Sequence, residues 1–566
     1  MTSFAPPTRA TTPRLRRLLL PAVAALAIGL SGCASSGTAT ESASGTGAAG
    51  GTLVIGAEQE PDCADWIATC AGNIWGSYTM RTPTLPSAFD TREVDGSWQL
   101  VASNLLAGEP TVEVRGDGKQ VITYQINPEA VWSDGEPITG ADFVYTGLEI
   151  RDGDDIFDKT GYALIESIEA PDEKTAVVTM SEEYGNWRVL FSGDYSLLPQ
   201  HLLEGQDRAA IMKDGYDFSG GPWKIDAWTK GESVTLVPNE NYWGEQPKLS
   251  QVTFQFITDT AAAFQALKSG QVQALYPTPQ LDALSQIEAG VPNTNIEVDP
   301  ASGNLEALWV NNEAAPFDSV AVRQALAFAI DRPAIVERLY GKLGVSEAQQ
   351  SFLTPLNGDF ASDEFSQYTL DLDKVDELMT GDGWAKNADG VWAKGDQVAE
   401  FRVTSHAGNK RRELTEQVLQ AQLKDAGFSL TIANATGADI FSKLAPEGDF
   451  DLGLWTIIDT TPQPALAASF TQSAIPSAEN GYSGINFVRT RIEGLDELLT
   501  TVERSVDPEV RREASLEAEK LIAEGIPGIP VATVPNILMT SERIGGPVAI
   551  NPSEGPFWNL EEWTIG

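Results

Sequence analysis

Three acidic residues lie close together in the stretch VWSDGEPITGADFVYT (131–146), namely Asp134, Glu136 and Asp142. Paired carboxyl groups beside an aromatic ring, here the tryptophan of the same stretch, would supply the general acid and base that cleave a glycosidic bond. The same spacing also suits local structure. Asp-Gly forms a tight turn, and Thr139 and Asp142 match the two ends of a helix capping box. We therefore predict turn and cap roles for Asp134 and Asp142, with a helix beginning after Thr139.

Residues for other kinds of catalysis are scarce. The chain contains two histidines, His201 and His406, and lacks the G-x-S-x-G motif of a serine nucleophile. A zinc site needs more ligands than these, and the sequence shows no nucleophile motif placed with a base. The sequence predicts a protein that is not an enzyme, has no metal site and uses no cofactor.

Charge and composition limit the possible partners. The chain has 566 residues, of which 42% are hydrophobic and 21% charged, as in globular proteins of two or three domains. Its net charge of −42 at pH 7 would repel the phosphates of nucleic acid and of anionic lipid. We exclude nucleic acid as a partner and expect any membrane attachment to depend on covalent lipid.

The N-terminus has the features of an export signal. Basic residues precede the apolar run LLLPAVAALAIGL (18–30), which is too short to span a bilayer comfortably and is soon followed by Cys33. The sequence LSGC resembles the bacterial lipobox, in which the cysteine becomes the lipidated N-terminus. We expect 1–32 to be a lipoprotein signal peptide and 33–51 to be a flexible tether. An ordinary signal peptide is the alternative, and the export route, general secretory or twin-arginine, stays open.

Two further cysteines, Cys63 and Cys70, remain once Cys33 is assigned to lipid. In an exported protein a leftover pair of cysteines indicates a disulfide. We predict a bond between Cys63 and Cys70.

Several stretches resemble, in the same order, the family 5 extracellular solute-binding proteins of bacteria. VWSDGEPITGADFVYT looks like the family segment W-S-D-G-x-P-(L/I)-T-A-x-D-V. NNEAAPFDSVAVRQALAFAIDR (311–332) resembles N-x-x-x-P-F-D-D-x-R-V-R-Q-A-L-x-x-A-I-D-R. Further matches fall at 218–257, at 263–275, where Gln273 replaces the usual Asp, and at the C-terminal WNLEEW (558–563).

The match at 311–332 also has a physical interpretation of its own. Its periodicity predicts one helix in PFDSVAVRQALAFAIDR, with an apolar face made of Val322, Ala325, Leu326, Ala329 and Ile330. This prediction concerns the fold and not the ligand.

The resemblance implies an α/β, two-lobed fold like that of periplasmic binding proteins, with a hinge between the lobes. Lobe one would comprise 52–93, 219–301 and 537–566, with an extra subdomain inserted at 94–218, and lobe two would comprise 302–536. Family members deliver peptides, nickel and some oligosaccharides to ABC importers. The expected partners are therefore an ABC permease and its ATPase subunits, and the expected location is the outer face of the bacterial membrane, as a lipid-anchored monomer.

The stretch GDFDLGLWTIIDTTPQP (448–464) is where a ligand is expected. It predicts a buried strand with Asp459 at its carboxyl end, where open α/β sheets bind ligands, and with Trp455 on the same face. The stretch resembles the G-W-x-x-D-Y-x-(E/D)-P region of peptide-binding members, in which the Asp takes the peptide's α-ammonium. The resemblance implies that role for Asp459, beside Trp455. The alternative is a purely structural role, in which Asp459 caps the turn that follows the strand.

The opposite end of a peptide needs a cation, and TSHAGNKRRELTEQVLQAQLKDAGF (404–428) contains several before it continues as a helix. In the peptide-binding members that this stretch resembles, the region supplies the group that faces the ligand carboxylate. The resemblance implies Arg411 or His406 for that role. The neighbouring cations are expected to be solvated.

Two ligand classes remain, peptide and oligosaccharide. Asp459 close to a basic group would favour a peptide. A cleft lined by aromatic rings without that pair would favour an oligosaccharide, and the candidate rings are Trp66, Trp75, Trp384, Trp392 and Trp455. We predict a peptide-binding protein, with an oligosaccharide-binding protein of the same family as the alternative.

Overall fold

The computed structural model describes residues 50–68, 70, 73–193 and 195–566. The signal peptide, Cys33 and nearly all of the tether lie outside the described residues. Within the described residues, no helix combines the length and the hydrophobicity that crossing a membrane requires.

A mixed sheet forms the centre of the first lobe. Its strands, in spatial order, are Thr294–Asp299, Asn536–Ser541, Ala274–Leu275, Thr52–Ala57, Gln251–Phe256, Ser233–Pro238 and Trp223–Thr229. The first strand of the chain, Thr52–Ala57, pairs in parallel with both of its neighbours, while the other pairs are antiparallel. Helices Thr260–Ser269 and Leu281–Glu288 contribute Phe264, Leu267 and Ala283 to the buried apolar cluster that also contains Met539 of this sheet.

A second mixed sheet forms the centre of the second lobe. Its strands, in spatial order, are Ser429–Ile432, Glu400–Ser405, Leu452–Ile458, Asn304–Val310 and Gly528–Thr533. The longer helices of this lobe are Val320–Phe328, Arg332–Tyr340, Leu372–Gly381, Lys410–Asp425, Leu495–Arg504 and Pro508–Gly525.

The helix predicted within 311–332 is present but shorter than expected, since it spans Val320–Phe328 and a second helix begins only at Arg332. The five apolar residues of its predicted face are all buried. Asp331 precedes the second helix, Arg332–Tyr340, and caps its N-terminus. Its side chain accepts a hydrogen bond from the backbone N–H of Ala334 at 3.0 Å. Pro333 at the start of that helix has no N–H, so it could not continue the first helix unchanged.

Two short connections join the sheets. Strand Thr294–Asp299 of the first sheet leads into Asn304–Val310 of the second, and Gly528–Thr533 leads back into Asn536–Ser541. The connections lie side by side, because the backbone N–H of Val534 donates to the carbonyl of Asn304 at 2.8 Å. The α/β, two-lobed fold is therefore confirmed, while the lobe boundaries given above stay a prediction.

A small antiparallel sheet belongs to the predicted insertion in lobe one. Its strands, in spatial order, are Thr111–Val114, Gln120–Gln125, Thr175–Met180 and Ile165–Asp172, and helix Gly140–Asp152 packs against it. Smaller strand sets are Phe89–Val94 with Ser97–Ala102, Ala385–Lys386 with Trp392–Lys394 and Gln397–Val398, and Ile544–Gly545 with Thr564–Ile565.

The acidic stretch at 131–146 has the structural role predicted for it. Thr139 and Asp142 form the capping box of helix Gly140–Asp152, with the backbone N–H of Thr139 donating to Asp142 at 2.7 Å. Asp134 accepts a hydrogen bond from the backbone N–H of Glu136 at 3.0 Å and bonds to His201 at 2.8 Å. These acids are occupied by turn and cap contacts inside one subdomain.

The predicted disulfide between Cys63 and Cys70 is present, with Cα atoms 5.8 Å apart. It closes the loop that follows strand Thr52–Ala57. The bond therefore constrains a segment that leads directly to Trp75, on the wall of the cleft described next.

Candidate ligand-binding cleft

A cavity of about 700 Å³ lies between the two lobes. Its size is within the range of sites that bind small ligands. Lobe one lines it mainly with aromatic and small residues, which include Ile74, Trp75, Tyr78, Phe157, Tyr195 and Tyr276. Lobe two lines it with polar and charged residues, which include Asn304, Asn409, Arg411, Arg412, Thr456 and Asp459.

The strand Leu452–Ile458, here called the cleft strand, reaches this cavity with one edge uncovered. It pairs with Asn304–Val310 along its whole length. On its other side it pairs with Glu400–Ser405 only as far as Leu454. The strand Glu400–Ser405 ends there, so within the described part of the chain no strand pairs with the end of the cleft strand on that side.

Hydrogen-bond alternation shows which groups this edge presents. The backbone N–H of Asp459 donates to the carbonyl of Gly303 at 2.8 Å, so odd-numbered residues of the cleft strand bond to the neighbouring strand. In an antiparallel pair of strands, the even-numbered residues then direct their backbone N–H and C=O groups away from that neighbouring strand. Thr456 and Ile458 therefore present unpaired backbone groups at the cleft edge. A side chain at Gly303 would collide with the carbonyl of Asp459, so this close approach requires glycine.

Asp459 follows the cleft strand directly and lines the cavity. Its carboxylate accepts a hydrogen bond from the Thr354 hydroxyl at 3.2 Å, and among the described residues it has no ion-pair partner. Burial raises the pKa of Asp459 from its ordinary value to about 7, against the smaller effect of the Thr354 hydrogen bonds. A carboxylate in this situation gains from a cation supplied by a ligand.

Two arginines and one glutamate form a buried cluster on the same wall. Arg412 donates to Glu306 through Nε at 2.9 Å, and Arg411 donates through Nη2 at 3.3 Å. Arg411 also donates to the Tyr340 hydroxyl at 2.7 Å, while its buried Nε has no partner among the described residues. With two guanidinium groups and one carboxylate, the cluster carries one net positive charge.

The ionisation of this cluster follows from its geometry. Burial alone would raise the pKa of Glu306, but Arg411 and Arg412 outweigh it and hold that pKa below its ordinary value. Burial would lower the pKa of Arg411, but Glu306 and the Tyr340 hydroxyl hold it above its ordinary value. Glu306 and Arg411 are therefore both charged at neutral pH.

The structure separates the predicted site residues into two sets. Asp459 and Arg411 line the cavity between the lobes. Trp455 does not, because its ring is buried on the opposite face of the sheet and stacks on Trp309 at 6.4 Å between centroids. His406 is exposed and does not line the cavity either; it bridges to Ala435 and so extends the pairing of Glu400–Ser405 with Ser429–Ile432, on the side away from the cleft strand.

Two functional candidates were missed by the sequence interpretation. Arg412 was grouped with the solvated cations, yet its guanidinium reaches Thr456 Oγ1 at 3.4 Å as well as Glu306. Glu306 stands alone in the apolar strand NLEALWV, and a lone acid in a buried strand is the signal that would have identified it.

Aromatic rings line the other wall. Trp75 and Tyr276 both approach Tyr78 edge to face, with centroids 6.0 and 5.8 Å from its ring. Three of the other tryptophans proposed as a sugar platform, Trp66, Trp384 and Trp392, are buried in the lobes and do not line the cavity. Among the described residues no group of three His, Cys, Asp or Glu side chains is placed to hold a metal ion.

Two lobes, two connections and a charged cleft between them define a solute-binding protein. The sequence profile of the bacterial extracellular solute-binding proteins, family 5 (middle region), matches residues 102–476, and the chain belongs to that family. Members of the family are binding proteins and not enzymes, and they act outside the cytoplasm, which supports export of this chain.

Known relatives cover nearly the whole chain. The oligopeptide-binding protein OppA of Mycobacterium tuberculosis is 26% identical, over 92% of this chain and 88% of the relative. The oligopeptide-binding protein AppA of Bacillus subtilis is 24% identical, over 97% of this chain and 98% of the relative.

Solved structures share the fold. The periplasmic EDTA-binding protein EppA superposes with a TM-score of 0.78 at 24% identity, covering 92% of this chain and 98% of that one. AppA from Bacillus subtilis in complex with a nonapeptide superposes with a TM-score of 0.69 at 22% identity, covering 92% and 100%. NikZ from Campylobacter jejuni in complex with Ni(L-His) gives 0.71 at 20% identity, covering 91% and 99%.

Proposed function

We propose that this protein is the substrate-binding lipoprotein of an ABC importer, that it captures short peptides between its lobes and that it delivers them to a membrane permease. The observation that carries the proposal is the arrangement along the cleft strand. Asp459 stands at one end of the uncovered edge, and Arg412 contacts Thr456 toward the other. The α-ammonium and the α-carboxylate of a peptide carry the charges that complement Asp459 and the arginine cluster.

The spacing of these charges suits a short peptide. Asp459 and Thr456 are three residues apart along the strand, which is about 10 Å. A fully extended tripeptide spans about the same distance. The cluster of Arg411, Arg412 and Glu306 would offer its net positive charge to the peptide carboxylate, next to the N-terminal end of helix Lys410–Asp425.

The backbone of the ligand would be held as an added strand. Thr456 and Ile458 present unpaired N–H and C=O groups, which recognise any peptide irrespective of its side chains. This mode explains how a peptide can be gripped along its length while charges select its two ends.

An oligosaccharide is the second candidate, and the ring cluster of Trp75, Tyr78 and Tyr276 favours it, because such rings stack on sugars. A neutral sugar would leave Asp459 and the net positive charge near Arg412 enclosed without ionic partners. Burying unpaired charges is costly, so the peptide is the better match.

The remaining parts of the proposal rest on the sequence. Cys33 would carry the lipid that holds the protein at the outer face of the membrane, with the tether 33–51 allowing the lobes to move off the surface. The permease and its ATPase subunits are the proposed partners of a monomer.

The decisive experiment removes one charge from each partner in turn. Calorimetry would compare a free tripeptide and its N-acetylated form on the wild type and on Asp459→Asn. Loss of one partner of a buried charge pair costs about 2–5 kcal/mol, so we expect the free peptide to bind the variant roughly 30-fold to several-thousand-fold more weakly. The acetylated peptide should bind both proteins with similar, low affinity.

Asp158 provides the matched control, because it is a carboxylate on the other wall of the same cavity. Asp158→Asn should leave the difference between free and acetylated peptide unchanged. A coupling energy near zero for Asp459 would mean that it is a turn residue. A wild type that binds an oligosaccharide and no peptide would establish the alternative.

A further inference from the structure

A small apolar cavity of about 100 Å³ adjoins the cleft on the far face of the second sheet. Its walls include Trp309, Trp455, Ile457, Phe441 and Phe487. Thr456 lines this cavity as well as the main one, so the two cavities lie next to each other at the end of the cleft strand.

The walls of this cavity are apolar and partly uncovered. Phe441 is 47% exposed and Ile485 is 50% exposed, although the Phe441 ring lies only 5.6 Å from the ring of Trp455. The floor is rigid, because Trp455 and Trp309 are buried and stacked nearly parallel at 13°. A group that entered the cavity would cover this apolar surface without moving the core.

Strand geometry shows which ligand residue reaches the cavity. A peptide with its α-ammonium at Asp459 and its carboxylate toward Arg412 runs antiparallel to the cleft strand. In an antiparallel pair, directly opposite residues share a face. The first peptide residue then lies opposite Asp459, the second opposite Ile458 and the third opposite Ile457.

The faces alternate, so the second and third side chains diverge. Ile458 and Thr456 share a face with Arg412, whereas Ile457 shares a face with Trp455. The third side chain therefore projects toward the apolar cavity. Its own carboxylate would follow beside Thr456, within reach of the arginine cluster, so one register satisfies both ends of a tripeptide.

We infer that the cavity of Trp455, Ile457, Phe441 and Phe487 is a specificity subsite that takes an uncharged aliphatic or aromatic side chain at the third residue of the bound peptide. The inference rests on the proposed peptide-binding function and names its preferred substrate class. A charged side chain there would lose its hydration without gaining a partner.

The test uses tripeptides that differ at one position. Calorimetry on the full mature chain would compare Ala-Ala-Ala, Ala-Ala-Leu, Ala-Ala-Phe, Ala-Ala-Asp and the positional control Ala-Leu-Ala. Full burial of a Leu or Phe side chain predicts roughly 10- to 100-fold tighter binding than Ala at the third position. Ala-Leu-Ala should gain much less, and Ala-Ala-Asp should bind more weakly than Ala-Ala-Ala.

Two exposed wall residues allow the cavity to be changed without unfolding the protein. Phe441→Ala removes one wall and should reduce the preference for Ala-Ala-Leu while leaving Ala-Ala-Ala unaffected. Ile485→Trp should fill the mouth and have the same effect on the preference. The control is Leu370→Ala, since Leu370 is 47% exposed and lines neither cavity, and it should leave the ratio unchanged.

The subsite would be refuted if Ala-Ala-Leu and Ala-Ala-Ala bound with equal affinity, or if Phe441→Ala kept the preference for Ala-Ala-Leu. Neither result would contradict peptide binding through Asp459. Failure of every tripeptide to bind the wild type would overturn the proposed function and the subsite with it. The two failures are therefore distinguishable.

Discussion

Arg511 of helix Pro508–Gly525 donates a hydrogen bond from Nη1 to the backbone carbonyl of Gly185, 3.1 Å away, and so connects lobe two to the subdomain that we predict to be inserted in lobe one. Arg511 also bonds to the side chain of Asn186. The buried guanidinium has only neutral acceptors in these bonds, and burial lowers the pKa of Arg511 to about 10. This contact spans the two lobes at a site separate from the two chain connections.

We predict that Arg511→Ala shifts the protein toward an open arrangement. Hydrogen bonds of a charged group contribute about 1.5–3 kcal/mol each, so loss of the two contacts with Gly185 and Asn186 should change the open-to-closed ratio by at least about 100-fold. Small-angle X-ray scattering should show a larger radius of gyration, and bound peptide should dissociate faster. Arg512→Ala is the control, because the ion pair of Arg512 within the described residues is with Glu509 on the same helix; an equal change there would contradict the role of Arg511.

Peptide affinity should depend on pH through Asp459. Its pKa is raised to about 7, and only the ionised form pairs with an α-ammonium. Affinity should be highest above pH 7 and fall by up to about tenfold per pH unit as the pH drops below 7. Calorimetry from pH 8 to pH 5.5 would measure this, and Asp459→Asn should flatten the profile.

The same pKa shift predicts the opposite trend for stability without ligand. A folded-state pKa above the ordinary value of 3.8 means that the folded protein binds the proton more tightly than the unfolded chain. The contribution of Asp459 to the free energy of unfolding is then greatest at low pH and decreases as the pH rises from about 4 to 7. Urea unfolding of wild type and Asp459→Asn across this range would detect the difference; parallel curves would contradict it.

Substitutions in the cluster of Arg411, Arg412 and Glu306 should distinguish its contribution to stability from its contribution to peptide binding. Glu306→Gln leaves two buried guanidinium groups without a counter-charge and should lower the free energy of unfolding by about 3–5 kcal/mol. Arg412→Gln leaves a neutral pair of Glu306 and Arg411, so it should cost less stability. Arg412→Gln should weaken the binding of a free tripeptide by about 2 kcal/mol, and it should hardly change the binding of the same peptide with a C-terminal amide.

The control for this cluster is Lys410→Gln, because Lys410 is exposed and pairs with Glu413. It should change neither urea unfolding nor the difference between free and amidated peptide. If Arg412→Gln weakened both peptides equally, the cluster would be a structural element and not the carboxylate site.

The disulfide should be detectable chemically. Thiol titration of the unfolded mature protein without Cys33 should find no free thiol, since Cys63 and Cys70 are bonded. The chain-entropy treatment gives roughly 2.5 kcal/mol for so short a loop, so replacing both by Ser should lower stability modestly. Two reactive thiols would contradict the bond.

Membrane attachment should depend on Cys33. Cys33→Ala should move the protein from the membrane fraction to the soluble fraction or the medium, because no acyl chains can then be added. Fractionation followed by mass measurement of the N-terminus would test it, and retention of the variant on membranes would exclude the lipoprotein interpretation.

Local features could be predicted well from the sequence. The Thr139–Asp142 capping box, the strand ending at Asp459 and the helix beginning near Lys410 depend on neighbours a few positions away. The family resemblance then supplied the two-lobed fold. One local error, the length of the helix Val320–Phe328, arose because the apolar periodicity continues through Ala329 and Ile330 beyond the end of the helix.

Only the tertiary structure could select among the charged and aromatic candidates. Arg412 and Glu306 are 106 positions apart and meet because one sheet brings their elements together. His406 and Trp455 had suitable side chains, but His406 lies beyond the end of its strand and the Trp455 ring packs on Trp309 in the lobe core, so neither lines the main cavity. The sequence by itself determined the helices, strands and family, since those follow from local periodicity and ordered motifs. The uncovered edge, its two charged ends and the adjoining apolar cavity were decided by long-range packing, which no local pattern encodes.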